Sequence, residues 1–261
     1  MSLIGIIASA SAPPPTSPVA GYKAWYDASD TATITVSGNA VTQWNDKSAN
    51  AYNLTQGTAA YRPSSGTRTI NSKNVIDFDG SNDLLKAATA SNWTFLSNSG
   101  GSSIFLVILC DTSSTFQVIL STLFDLSSSS VGTSFTRRTD DKTDLFVRNG
   151  NSGNGAIGSN DQGTLTDATA IYYTALLSPN NGTTADRAIS RVNGGAEIKN
   201  NTFTQSPSAS VASEPLHIGD YTPGGGLGFD GAIGEVLFYD SVLSATDRAK
   251  NESYLKNKWG L

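Results

Sequence analysis

Along most of the chain, apolar residues come in short runs separated by Ser, Gly, Asn and Asp, the spacing of strands and turns rather than of helices. Residues 21–28 (GYKAWYDA) predict a first strand. Residues 33–36 and 41–44 predict a hairpin closed by Ser37-Gly38-Asn39, and residues 74–78 and 83–86 flank a second turn at Asp79-Gly80-Ser81-Asn82. Residues 104–110 (IFLVILC) form an unbroken apolar run, which suits a strand buried on both faces. Strands over 116–124, 145–148 and 170–177 follow, then a hairpin of 189–192 and 197–199 around Asn193-Gly194-Gly195. Residues 216–218 lead through a Gly-rich loop into a last core strand at 232–239. Strands this short and this evenly spaced point to a β-sandwich or jelly roll.

The period changes once, after Asp240 and Ser241. Ser244 is a helix N-cap, and Asp247 puts a carboxylate in the first turn. Leu255 and Trp259 share one face, Lys250, Lys256 and Lys258 gather toward the C-terminal end, and Gly260 is a stop. The expected fold is therefore all-β with a short C-terminal helix whose Leu255/Trp259 face lies on something apolar.

Charge and composition narrow the function. The net charge of −5 comes with no Lys/Arg cluster, which argues against a nucleic-acid partner. The single cysteine, Cys110, excludes an internal disulfide framework and any zinc site built on cysteines, and it reads as a core thiol. No apolar run reaches the ~18 residues of a membrane span.

The first 18 residues differ from the rest. Leu3, Ile4, Ile6 and Ile7 are apolar, small-residue triplets follow at Ala8 to Ala12, and Pro13-Pro14-Pro15 with Pro18 forms a stiff linker. One reading is an export signal cleaved near Ala10 or Ala12, although no Lys or Arg precedes the apolar segment. The other is an arm that docks either on its own domain or, as the stiff linker favours, on a neighbouring chain, with Leu3, Ile4, Ile6 and Ile7 as the assembly anchor, about 1.5–3 kcal/mol each if covered. The domain division is residues 1–18, arm and linker, and residues 19–261, one β domain.

The search for catalytic chemistry returns few candidates. A carboxylate pair for glycoside hydrolysis needs about 5–5.5 Å between its members, and Glu197, Glu214, Glu235 and Glu252 show no E-x-D-x-E arrangement. Asp77 and Asp79 share one strand face but read as a strand end and a turn residue. His217, the one histidine, has no G-x-S-x-G beside it and reads as a strand residue satisfied by a neighbour. Residues 153–158 match G-x-G-x-x-G without the helix that a phosphate site needs. No catalytic or metal residue is assigned and no cofactor is expected, calcium at the acidic loops Asp79/Asp83, Asp140/Asp141/Asp144 or Asp220/Asp230 being the minor alternative. Trp25, Trp44 and Trp93 read as core rather than as sugar-stacking platforms.

The segments AWYDASD (24–30), VTQWNDKSAN (41–50), Arg62-Pro63, NVIDFDGSNDLL (74–85), RVNGG (191–195), LHIGDY (216–221) and the C-terminal run from Gly231 occur in a recognisable order. The chain resembles the concanavalin A-like, laminin-G-like jelly-roll domains of secreted bacterial proteins and bacteriophage virion proteins. One departure is Ala49, where such domains more often carry Gly. The resemblance implies a two-sheet antiparallel sandwich, usually non-catalytic, with binding in the loops. The expected function is a non-catalytic virion structural protein, a capsid decoration or fibre component. Its arm would be held by other virion proteins and its domain displayed outward, with host-surface glycans as a further partner. The alternative is an extracellular carbohydrate-binding module or adhesin.

Overall fold

The computed structural model describes residues 13–98, 100–112, 115–125, 129–150, 157–159, 161–199, 206–222 and 225–261. The first strands in chain order are β1 (Ala24–Asp27), β2 (Ile34–Ser37), β3 (Ala40–Trp44), β4 (Leu54–Thr55), β5 (Ser64–Ile70), β6 (Lys73–Asp79) and β7 (Leu85–Lys86). Next come β8 (Ser102–Cys110), β9 (Gln117–Ser121), β10 (Val131–Arg137), β11 (Thr143–Asn149) and β12 (Ile157–Ser159). The last are β13 (Ala170–Leu177), β14 (Ala188–Val192), β15 (Ile198–Lys199), β16 (His217–Ile218) and β17 (Asp230–Tyr239), followed by helix α1 (Ala245–Trp259).

The fold is predominantly antiparallel β. One run of pairings is β15–β14–β13–β8–β17, and β17 then pairs with β6 over its first half and β1 over its second. A second run is β12–β11–β10–β9–β16–β7–β4. Strand β3 pairs with both β4 and β5, and β5 with β6, so among the described residues the expected two sheets are joined into one hydrogen-bonded network. The main core takes side chains from both runs: Ile104, Leu106, Ile108, Val236 and Phe238 from the first, and Leu120, Phe135, Leu145, Leu85 and Ile218 from the second.

The unbroken apolar runs of β8 and β17 follow from burial on both faces. Alternate residues of β8 face the main core, while Phe105 and Val107 join Leu237, Tyr239, Tyr254, Leu255 and Trp259 in a second apolar cluster under α1. The helix is capped as its sequence predicts, with Ser244 Oγ accepting from Asp247 N at 3.1 Å and Gly260 left-handed at φ +67°.

A bulge in β17 determines what lies under the helix. Ala232 and Ile233 face the helix-side cluster and the main core in turn, so strict alternation would put Glu235 in the main core. The register against β8 slips between Ile233 and Glu235. The extra residue, Gly234, turns Glu235 to the helix side and leaves Val236 and Phe238 facing the core. Only glycine fits there, because a Cβ on Gly234 would lie 2.7 Å from the Trp259 ring.

Two strands carry no apolar pattern in the sequence. In β10, Thr133, Ser134, Thr136 and Arg137 are all buried. Several of their polar atoms find partners in the fold: Thr133 Oγ1 donates to Leu96 O at 2.7 Å, and Arg137 Nη2 donates to Leu165 O at 2.8 Å and to Asp141 at 2.6 Å, while Arg137 Nε and Nη1 are buried without one among the described residues. Strand β5 runs along the rim and is mostly exposed or half-buried, with Arg68 bridging to Asp77 at 3.1 Å and to Asp111.

The proline stretch does not stand away from the domain as a stalk. Pro13, Pro14 and Pro15 line a shallow groove together with Ala245, Ala249 and Ser253 of α1. Val19 is then tied down, its N–H donating to Asn251 Oδ1 at 2.8 Å and its carbonyl accepting from Tyr239 Oη at 2.6 Å. The anchor residues Leu3, Ile4, Ile6 and Ile7 lie outside the described residues.

Candidate functional site

The buried group of opposite charges under α1 is structural. Glu235, fully buried, accepts from Trp25 Nε1 and Tyr254 Oη on one oxygen and from Lys258 Nζ and Trp259 Nε1 on the other, each at 2.7 Å. Lys258 also meets Asp27 Oδ1 at 2.7 Å, and Lys47 meets Asp27 at 3.1 Å. Burial pushes the Glu235 carboxyl up. Burial also acts to raise Asp27, but Lys258, with Ser29 and Lys47, holds it below the usual carboxylate range. With each oxygen of Glu235 already taking two donors, this cluster has no free valence for a ligand.

The other sequence candidates also have local partners. Glu252 accepts from Thr174 Oγ1 at 3.0 Å and pairs with Arg191 at 3.2 Å, and Glu197 pairs with Arg248 at 2.8 Å. Asp77 pairs with Arg68, and Asp79 Oδ1 caps its own turn by accepting from Ser81 N at 2.9 Å. Of the acidic loops, Asp83 accepts from Asp79 N, Asp140 pairs with Arg138, and Asp230 accepts from Thr112. No group of three or more His, Cys, Asp or Glu among the described residues is placed to hold a metal. Trp44 and Trp93 are fully buried, and so is Cys110, whose thiol burial pushes up to about 12.

The remaining glutamate and the histidine meet in a cavity. In the second run of strands, register places Thr55 opposite Lys86, Lys86 opposite His217, and His217 opposite Ser121. Residues directly opposite in antiparallel pairs share a face. The alternate residues Leu54, Leu85, Ile218 and Leu120 point the other way into the main core. Thr55, Lys86 and His217 therefore form a polar row on the face turned away from the core.

Loops wall this row to make a cavity of about 450 Å³, lined by Gln56, Thr58, Tyr61, Lys86, Glu214, His217, Tyr221 and Thr222 among others. Arg62, of the Arg62-Pro63 pair, holds the near wall: Nε donates to Gln56 O at 2.9 Å and Nη2 to Gly57 O at 2.7 Å. Tyr61 O accepts from Leu84 N at 2.9 Å, which fixes the aromatic residue at the rim. Glu214 is placed by its own N–H, which donates to Thr122 O at 3.1 Å.

His217 is the distinctive group. It is 3% exposed, and Nδ1 is bonded to Tyr221 O, so Nδ1 carries the proton and Nε2 offers a lone pair. Burial pushes its pKa down to about 4, which keeps the ring neutral at physiological pH. Nε2 is buried and has no hydrogen-bond partner. Glu214 Oε2 lies 3.8 Å from Nε2 and, equally, 3.8 Å from Lys86 Nζ, beyond hydrogen-bond length in both cases. The cavity thus presents an unused acceptor, a carboxylate, an ammonium and a phenol. The sequence held a signal for it: LT, LK, HI and LS each set one apolar residue inward and one polar residue outward.

No protein-family model matches the chain, and no curated protein matches its sequence. Solved structures match it in shape. Trypanosoma rangeli sialidase in complex with sialic acid aligns over 92% of this chain and 34% of its own, with a TM-score of 0.57 and 10% identity. A mutant of that sialidase displaying trans-sialidase activity aligns over 97% of this chain and 35% of its own, with a TM-score of 0.58 and 11% identity. The CBM40 of Ruminococcus gnavus IT-sialidase bound to α2,6 sialyllactose aligns over 69% of this chain and 96% of its own, with a TM-score of 0.48 and 13% identity. The likeness is one of fold. This chain spans about a third of the sialidase chains it matches.

Two expectations are overturned by this likeness. The chain was expected to be non-catalytic, but its fold recurs within sialidases, which are enzymes, so the fold is no ground for that reading. It was also expected to be a virion decoration or fibre protein. The solved structures that share its fold are sialidases and not virion proteins, so the virion assignment has no support, nor do the virion location and the virion partners of the arm.

Proposed function

We propose that this chain is an extracellular carbohydrate-binding domain, and that the cavity between Tyr61, Lys86, Glu214 and His217 takes a sugar. The observation that carries this reading is His217 Nε2, a buried acceptor without a partner in the wall of an open cavity. Leaving a buried polar atom unpaired costs about 1–3 kcal/mol, a cost that a ligand hydroxyl donating to it would relieve. Glu214 offers further acceptors, Lys86 a donor, and Tyr61 an aromatic body at the rim. Within this reading the two runs of strands are the two leaves of a jelly-roll sandwich, supported by the single core that takes side chains from both. Residues 19–261 act as the folded unit, preceded by the arm and linker of residues 1–18, with an export signal cleaved near Ala10 or Ala12.

The charge pattern favours an uncharged sugar. Lys86 is the one cation of the lining and already faces Glu214, so a sugar carboxylate entering here would meet a second carboxylate and the lone pair of His217. Printed glycans, neutral and sialylated, probed with the full chain and with Tyr61→Ala test the proposal. Binding to neutral glycans that drops at least tenfold in Tyr61→Ala supports it. No binding to any glycan, or binding that Tyr61→Ala leaves unchanged, overturns it.

A further inference from the structure

A second cavity of about 410 Å³ adjoins the first and shares Thr55, Ala87 and Ala88 with it. Its other lining residues are Gln43, Asn50, Ala51, Tyr52, Asn53, Thr89 and Asn92, with no charged side chain among them. We infer that the two cavities are adjacent subsites of one groove, and that the ligand is a neutral oligosaccharide whose chain crosses the low divide at Thr55, Ala87 and Ala88. This inference rests on the glycan-binding reading of the first cavity and adds the length and the uncharged character of the ligand.

Three features favour the second cavity as a subsite rather than an incidental cleft. The first is chemistry. Four of its lining side chains are carboxamides, each offering a donor and an acceptor in one plane, the pairing that neighbouring sugar hydroxyls require. Asn92 makes no hydrogen bond with any described residue, and Asn53 uses only Oδ1, which accepts from Asp46 N at 3.0 Å.

The second feature is rigidity. The wall over residues 48–53 is organised by buried Asp46, whose Oδ1 accepts from Trp25 N at 2.9 Å and Ser48 N at 2.8 Å, and whose Oδ2 accepts from Ser48 Oγ at 2.6 Å and Tyr52 N at 2.9 Å. These bonds hold Ala51 in the left-handed region at φ +52°, a conformation that a residue with a Cβ adopts only under constraint. A wall fixed before binding lowers the ordering cost of capturing a ligand. The third feature is the divide itself. The residues shared by the two cavities are Thr55, Ala87 and Ala88, all small, so no long or aromatic side chain is common to both walls.

The test is calorimetric titration of the full chain with cello-, xylo-, malto- and chito-oligosaccharides of one to six units, and with sialyllactose as the charged comparison. For a series that binds, affinity should rise at least tenfold between one unit and three or four. Thr89→Trp, on an exposed position that lines the second cavity and not the first, should abolish that gain while leaving the single sugar bound as in the wild type. Asn92→Ala should reduce the gain several-fold. A bound series whose affinity is flat with length, or a length gain that survives Thr89→Trp, overturns the groove and leaves the first cavity as the sugar site. Binding restricted to sialyllactose overturns the uncharged ligand class. Failure of every sugar to bind removes both the groove and the glycan-binding reading.

Discussion

Replacing Glu235 with Gln is the sharpest test of what holds the helix to the sheet. The substitution keeps size and shape but removes the charge and turns one oxygen into an NH2 donor. That donor then faces two existing donors, either Trp25 Nε1 and Tyr254 Oη or Lys258 Nζ and Trp259 Nε1. Two hydrogen bonds to a charged acceptor are lost, each worth about 1.5–3 kcal/mol. Breaking a buried ion pair by changing one partner costs about 3–5 kcal/mol in total, and that is the expected loss in unfolding free energy. For a chain of this size it corresponds to a fall in Tm of roughly 6–20 °C. Urea unfolding followed by tryptophan fluorescence measures it directly, since Trp25 and Trp259 both touch the network. A cycle with Lys258→Met adds a second reading: the double variant should be less destabilised than the sum of the singles by at least about 1 kcal/mol. A loss below about 1 kcal/mol for Glu235→Gln, or strict additivity in the cycle, would refute the argument that these groups act as one buried unit.

Three further outcomes follow from particular contacts. Gly234→Ala places a Cβ 2.7 Å from the Trp259 ring, so overpacking should cost about 1–3 kcal/mol in urea unfolding and shift the tryptophan emission, and a neutral result would mean the ring is not seated there. Ser244→Ala removes the N-cap acceptor of Asp247 N and should cost about 1 kcal/mol, read as a lower urea midpoint. His217 is held neutral, with its pKa pushed down to about 4 from 6.5, so the unfolded chain takes up its proton first as pH falls. The wild type should therefore lose about 3 kcal/mol relative to His217→Gln between pH 7 and pH 4, and parallel stability curves for the two proteins would show the imidazole to be solvated.

Where one physical rule governed a segment, its sequence could be read. The capped helix, the hairpin at Asn193-Gly194-Gly195 and the doubly buried strands β8 and β17 follow from spacing and burial alone. Strand β10 escaped because its buried positions are Thr, Ser and Arg, two of whose partners, Leu96 O and Leu165 O, lie 37 and 28 residues away, where no local pattern announces them. The departure at Ala49 changes little, since the residue that takes the left-handed conformation in that turn is Ala51. The anchor expected at Leu3, Ile4, Ile6 and Ile7 lies outside the described residues. The cavity was legible only in pieces. LT, LK, HI and LS are ordinary alternations, and only the pairing of four strands far apart in sequence sets Thr55, Lys86, His217 and Ser121 in one row.

Glu235 and His217 show how the same fold treats two buried ionisable groups in opposite ways. Both sit on strands whose neighbouring residues fill the main core, and burial disfavours the charged form of each. For Glu235 a one-residue bulge at Gly234 delivers the carboxylate to four donors on the helix side, so the charge is kept and every acceptor position is used. For His217 no bulge intervenes, one nitrogen is bonded to Tyr221 O, and the charge is given up, leaving the second nitrogen unused in an open cavity. A satisfied buried group stabilises and has nothing left to offer a ligand. An unsatisfied one costs stability and retains a definite direction for a donor. On that reasoning the network under α1 holds the fold together, and the row across β4, β7 and β16 is where an acceptor is left over.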